Sequence, residues 1–160
     1  MTPSPPYAAL TPETALDARG AAGFPASGEL LALNSYENRV FRMGLADGGR
    51  VVAKFYRPER WNDAQILEEH AFTRELLEAE VPVVAPLDTG GRTLHHHAGF
   101  RYAVYPVQGG RPPEFDHDEV LVRMGRFLGR LHVVGARCPF VHRPALDSAS
   151  AGETSRDTLA

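Results

Sequence analysis

Cysteine is nearly missing from this 160-residue chain, where Cys138 stands alone. No internal disulfide can form, which agrees with a reducing compartment. Apolar runs are short as well. None approaches the roughly 18 to 20 residues that a membrane span requires, and the N-terminus has no basic region followed by an apolar stretch. Nor is there an excess of positive charge. With 17 Lys and Arg against 20 Asp and Glu, the net charge is -3. That balance provides no broad attraction to phosphate backbones or anionic membranes, so nucleic acid and membrane are poor partners. Together these absences point to a cytoplasmic protein. What is present is ordinary: 43% hydrophobic and 23% charged residues, enough for one globular domain with its own core.

The first ten residues, MTPSPPYAAL, hold three prolines and few anchors, so a loosely held arm without chemistry is expected there. Thr11 followed by Pro12 reads as a helix start, because proline at the first helical position forfeits only an amide that lacks a partner anyway. That helix is expected to end near Gly20. Three strand-like runs follow, Leu30 to Tyr36, Arg39 to Met43 and Arg50 to Tyr56, with Asp47-Gly48-Gly49 as the last turn of a meander. From Asn62 to about Glu80 the period becomes helical, with Asn62 as cap and Ile66, Phe72, Leu76 and Ala79 on one stripe. VPVVAPLD (81–88) and GFRYAVYPV (99–107) read as two further strands, with a hairpin around Gly90-Gly91. Asp116 followed by Glu119 has the form of a capping box. The helix it opens places Val120, Met124, Phe127, Leu131 and Val134 on one face. After Cys138 the chain turns through HRP into a Ser/Ala/Gly/Asp-rich tail, and no internal repeat is present.

One stretch, VVAKFYRPERW (51–61), breaks its own pattern. Val51, Val52, Ala53, Phe55 and Tyr56 suit a strand with little water on either face, yet Lys54 sits among them. In the helix that follows, Glu69 lies three residues after Ile66 and three before Phe72, which puts a carboxylate inside the apolar stripe. Each charge is anomalous alone. A pair about 4 Å apart gains about 4 kcal/mol at an effective dielectric near 20, which offsets part of the desolvation. The alternative is that Lys54 snorkels to solvent and Glu69 joins a local network; spacing does not choose between them.

Beyond spacing, several runs carry a resemblance. LNSYENRVF (33–41), KFYRPERW (54–61), QILEEH (65–70), EVPV (80–83), LGRLH (128–132) and HRP (142–144) are similar to the stress response kinase A (YihE protein kinase) family. That family lies within the aminoglycoside phosphotransferase and kinase-like superfamily. KFYRPERW together with NSYENRV is the specific part of the match, whereas EVPV alone is weak. The resemblance implies an α+β fold: a protein-kinase-like N-terminal lobe with an antiparallel five-stranded sheet and one long helix, then the first helix of an incomplete C-terminal lobe. On this reading residues 1–28 are an arm and short helix, 29–108 the lobe with its hinge, and 109–160 the start of a truncated second lobe.

The same resemblance implies an ATP-dependent phosphotransferase, foremost a serine/threonine protein kinase. Lys54 would hold the α- and β-phosphates of ATP and Glu69 would orient it, as suits a reaction governed by positioning and charge stabilisation. The turn Asn34 to Asn38 stands where protein kinases carry a glycine-rich loop but has no glycine. Ser35, Asn38 and nearby amides would approach the phosphates there, unless the turn is simply a polar hairpin. The Ala103 to Val107 run would be the hinge at the adenine edge, with Tyr105 and Val107 as its binding residues. Pro106 cannot donate a hydrogen bond, so Val107 is the amide donor.

Other signals weigh less. His95, His96 and His97 suggest a metal site, but on a strand they alternate faces and no Cys or carboxylate is placed nearby in sequence to complete it, so a solvated hairpin edge is the reading. His132 is read as a structural helix-end residue. Arg57 and Arg60 have no assigned mechanism, and Cys138 has no evident base nearby. The family's catalytic aspartate and metal-binding asparagine, in an HGD-x-x-x-x-N run, are not in the sequence. The expectation is therefore the N-terminal half of a kinase, by design, gene truncation or divergence, with the Mg2+ ligands in a missing lobe and no turnover alone. The alternatives are a small-molecule phosphotransferase of the aminoglycoside, choline or homoserine type, and a non-catalytic binding fragment.

Overall fold

A computed structural model describes residues 5–145; the tail from residue 146 onward, including ETSRDTLA, lies outside the described residues. The described residues hold five strands: β1 (Ala26–Leu33), β2 (Arg39–Leu45), β3 (Arg50–Phe55), β4 (His95–His97) and β5 (Phe100–Pro106). Three helices accompany them among the same residues: α1 (Pro12–Ala21), α2 (Asp63–Glu78) and α3 (Asp118–Gly135). The architecture is α+β, with one antiparallel sheet in the order β1-β2-β3-β5-β4.

Alternation along β3 and β5 divides the core. Val51, Ala53 and Phe55 face one side with Tyr102 and Val104, and Ala15 and Ala18 of α1, with Ala22 just after it, close over them. Tyr56 and Ala103 face the other side, where Ile66 of α2 packs. The N-terminal segment shares this core. Tyr7 stacks on Phe100, and its hydroxyl donates to the carbonyl of Glu37 at 3.0 Å. In the described residues 5–10, the expectation of a loose arm therefore gives way to an anchored segment.

The helix starts follow local chemistry. Thr11 Oγ1 accepts from the Thr14 amide at the head of α1. Asn62 and Gln65 form a reciprocal capping box on α2, each side chain taking the other's amide. At α3 the sequence expectation fails, because the helix opens at Asp118 with His117 as its cap residue and no side-chain cap bond. Its stripe is placed as expected: Val134 is buried and Val120, Met124, Phe127 and Leu131 are half-buried, while the rest of the helix is exposed except Gly135. Leu131 and Val134 pack with Leu76, Val81 and Phe72 at the end of α2.

Two strand assignments differ from the sequence reading. β1 begins four residues before Leu30 and ends at Leu33, with a register irregularity between Ala26 and Leu30 where Gly28 has φ +85; the polar residues 34–38 form the turn. Residues 81–88 form no strand. Pro82 and Pro86 cannot donate to a ladder, and the segment crosses the sheet with one bond, from the Leu87 amide to the Val104 carbonyl at 2.7 Å. The fourth strand is instead His95–His97, joined to β5 through Ala98 and Gly99.

Candidate functional site

Strand β3 is not buried on both faces. Its burial alternates, and Val52 and Lys54 occupy the half-open side. Helix α2 covers that side and presents Glu69 one turn before Thr73, whose hydroxyl donates back to the Glu69 carbonyl at 2.7 Å. Lys54 Nζ and Glu69 Oε1 meet at 3.2 Å, with the side chains 24% and 30% exposed. The ammonium also lies 4.6 Å from the centre of the Tyr56 ring, an arrangement that favours a cation. Of the two readings open in the sequence, pairing is the one found.

The pair lines a cleft of about 370 Å³. Its walls are apolar where Val40, Val52 and Val84 stand, and Tyr105, Pro106 and Gln108 close the end beside β5. A larger cavity, about 440 Å³, opens elsewhere, between Asp63, Leu67 and Arg74 of α2 and residues 88–96. It contains neither charge of the pair.

Behind the cleft runs a chain of polar side chains. The Tyr105 hydroxyl is 3.2 Å from that of Tyr56, which is 2.7 Å from His70 Nε2. His70 Nδ1 in turn lies 2.9 Å from Thr93 Oγ1. Burial holds the Tyr56 phenol far above its ordinary range and pushes Tyr105 up to about 12, so both stay neutral. Burial also lowers His70 to about 4. Lys54 and Glu69 are the ion-paired members of this neighbourhood that line the cleft.

Residues 34–38 lie apart from the lining. Ser35 is half-buried and Tyr36 fully exposed in the turn between β1 and β2. Asn38 Oδ1 accepts from the Arg57 amide at 3.3 Å, and the Glu37 carboxylate lies 2.7 Å from Arg60 Nε. The turn is therefore clasped to the segment after β3, a structural role for Arg60 that sequence spacing did not supply. Val107 follows β5 and is 40% exposed, with its neighbours Pro106 and Gln108 lining the cleft. Of the expected site residues, Lys54, Glu69 and Tyr105 converge, while Ser35, Asn38 and Val107 stand outside the lining.

Sequence reasoning missed a second cation. Arg143, in the HRP run, reaches Glu69 Oε2 with Nη2 at 2.6 Å. The three histidines form the edge strand β4: His95 bonds Thr89, and His96 meets Asp63, which Arg101 also grips. Among the described residues no group of three or more His, Cys, Asp or Glu side chains could hold a metal ion.

Comparisons with known proteins identify the family and the fold. A family model described as "Phosphotransferase enzyme family" matches residues 29–158. The chain is 48% identical over 143 residues to the stress response kinase A of Salmonella typhi, and equally to a protein of Salmonella typhimurium named serine/threonine protein kinase RdoA. It is 46% identical over 140 residues to the stress response kinase A of Shigella flexneri. These matches cover 88 to 89% of this chain but only 43 to 44% of the relatives, so the chain spans less than half their length. Among solved structures, the amicoumacin kinase hAmiN, in complex with AMP-PNP, Ca2+ and Ami, superposes with a TM-score of 0.70. Its sequence identity is 20%, over 88% of this chain and 46% of the kinase.

Proposed function

Because the chain belongs to the phosphotransferase enzyme family, we propose that residues 29–108 are the nucleotide-binding lobe and hinge of an ATP-dependent kinase, with residues 109–145 opening a second lobe. The whole protein would be a serine/threonine protein kinase of the stress response type, acting in the cytoplasm. One observation carries this reading: Lys54 Nζ is paired at 3.2 Å with Glu69 on the wall of a cleft also lined by Tyr105, Pro106 and Gln108. Phosphoryl transfer needs a fixed cation beside the phosphates, and a carboxylate that restrains an ammonium keeps it from wandering.

In this reading Lys54 meets the α- and β-phosphates and Glu69 holds its direction. Adenine lies between Val40, Val52 and Val84, with the backbone at Tyr105 and Val107 reading its edge. Ser35, Asn38 and the amides of their turn approach the phosphates from above. Mg2+ bound with ATP would neutralise phosphate charge, but the described residues do not fit it, having no convergent ligand group. This chain's own contribution is to bind and orient the nucleotide.

The test is a titration of the chain with a fluorescent ATP analogue. Saturable binding that Lys54→Ala abolishes is the expected result; binding indifferent to that change would refute it. A small-molecule phosphotransferase is the second reading, favoured by the superposition on an amicoumacin kinase. Offering the full-length gene product both proteins and small hydroxyl compounds as phosphate acceptors separates the two.

A further inference from the structure

We propose that Arg143 is a positioning residue for Glu69, and that residues 140–143 form a strap that sets the Lys54–Glu69 pair. The proposal rests on the nucleotide reading above. Glu69 divides its carboxylate between two cations: Oε1 lies 3.2 Å from Lys54 and Oε2 lies 2.6 Å from Arg143. The arginine comes from 74 positions away in sequence. With one oxygen held by a guanidinium, rotation of the carboxylate is restrained and the other oxygen stays directed at the ammonium.

The strap is built onto α2. The Glu68 carboxylate accepts from three successive amides, those of Val141, His142 and Arg143, the concave arrangement of amides that captures anions. Burial alone would raise the Glu68 carboxyl, but these three donors outweigh it and lower its pKa. Gln65 Nε2 donates to the His142 carbonyl at 3.1 Å, and Arg143 Nε returns a bond to the Gln65 carbonyl at 3.2 Å. The guanidinium itself stacks 4.4 Å from the centre of the Trp61 ring. Arg143 thus uses two edges of its planar fork and one face, which a lysine cannot do.

Charge gives the arrangement a consequence for ligand binding. Lys54 paired one-to-one with Glu69 would present a neutral couple. With Arg143 added the trio carries one net positive charge, so an approaching phosphate still meets an attractive field.

The experiment uses the chain itself and its single tryptophan. Arg143→Gln, Arg143→Lys and Glu68→Gln are compared with the parent by Trp61 emission, by affinity for a fluorescent ATP analogue, and by the NMR signal of the Lys54 side-chain Cε. Arg143→Gln is expected to shift the Trp61 emission, move the Lys54 signal and weaken nucleotide binding about tenfold. Glu68→Gln changes all three in the same direction, and Arg143→Lys recovers only part of the affinity. A merely structural strap would shift Trp61 and leave the Lys54 signal in place. If the parent binds nucleotide and Arg143→Gln binds it as tightly or more tightly, the positioning role is overturned while the nucleotide reading stands. If the parent binds none, that reading fails and the proposal fails with it.

Discussion

Tyr56 and His70 share a contact of 2.7 Å at a place solvent barely reaches, each residue being 2% exposed. Burial lowers His70 from its ordinary 6.5 to about 4, with the cations Lys54, Arg74 and Arg143 helping and Glu69 opposing. The folded protein therefore keeps His70 neutral down to about pH 4, while the unfolded chain takes up a proton near 6.5. Stability on this account is full above pH 6.5 and falls as pH drops toward 4, by on the order of 3 kcal/mol. Urea midpoints of the parent and His70→Gln between pH 7.5 and 4 check this. The parent should lose the more stability across that window, and parallel curves would show that His70 is not responsible.

How far the site could be read from sequence depends on whether a period was available to break. Lys54 and Glu69 were legible because each violates a regular pattern, the two-residue alternation of a strand and the 3.6-residue stripe of a helix. Arg143 violates nothing. It lies in an irregular segment, and its meeting with Glu69 depends on the path of the chain after α3. The identity of the fourth strand was illegible for a different reason. VPVVAPLD has strand composition, but its two prolines withhold ladder donors, whereas HHH is short and lacks strand character yet pairs with Phe100 to Tyr102. Tyr7 was likewise hidden, since an anchor of one aromatic ring among prolines leaves no periodic trace.

The capping box at α2 bears on Glu69 as well as on the helix. Asn62 Oδ1 accepts from the Gln65 amide at 2.9 Å, and Gln65 Oε1 accepts from the Asn62 amide at 3.0 Å. Asn62→Ala should destabilise the chain by about 1 kcal/mol. Gln65→Ala removes in addition the side-chain bond to His142, so its Trp61 emission should shift as the strap loosens. Urea unfolding together with the emission maximum tests both; an Asn62→Ala variant as stable as the parent would show that the cap contributes nothing.

Arg19 is the largest fully buried side chain among the described residues. It donates to the Gly44 carbonyl, yet its Nε and Nη2 have no partner, and burial lowers its pKa. A buried guanidinium facing one carbonyl is poorly compensated. Arg19→Met, similar in length and without charge, is expected to raise stability by about 1 to 2 kcal/mol, measured by urea denaturation. A loss of comparable size would mean that the guanidinium is satisfied after all.

Because Glu69 serves two cations while Lys54 has a single carboxylate partner, the members of the pair should respond unequally to substitution. Lys54→Met leaves Glu69 held by Arg143 and fills the strand position with an apolar side chain, so unfolding stability should change by less than about 1 kcal/mol. Glu69→Gln leaves Lys54 and Arg143 half-buried side by side without a counter-charge, and should cost about 2 kcal/mol. Raising the salt concentration should recover part of that second loss, because screening softens repulsion between partly exposed cations. Urea titrations at low and high salt measure all three effects. Equal losses for the two variants, or a Glu69→Gln loss indifferent to salt, would mean that the carboxylate does not bridge the two cations.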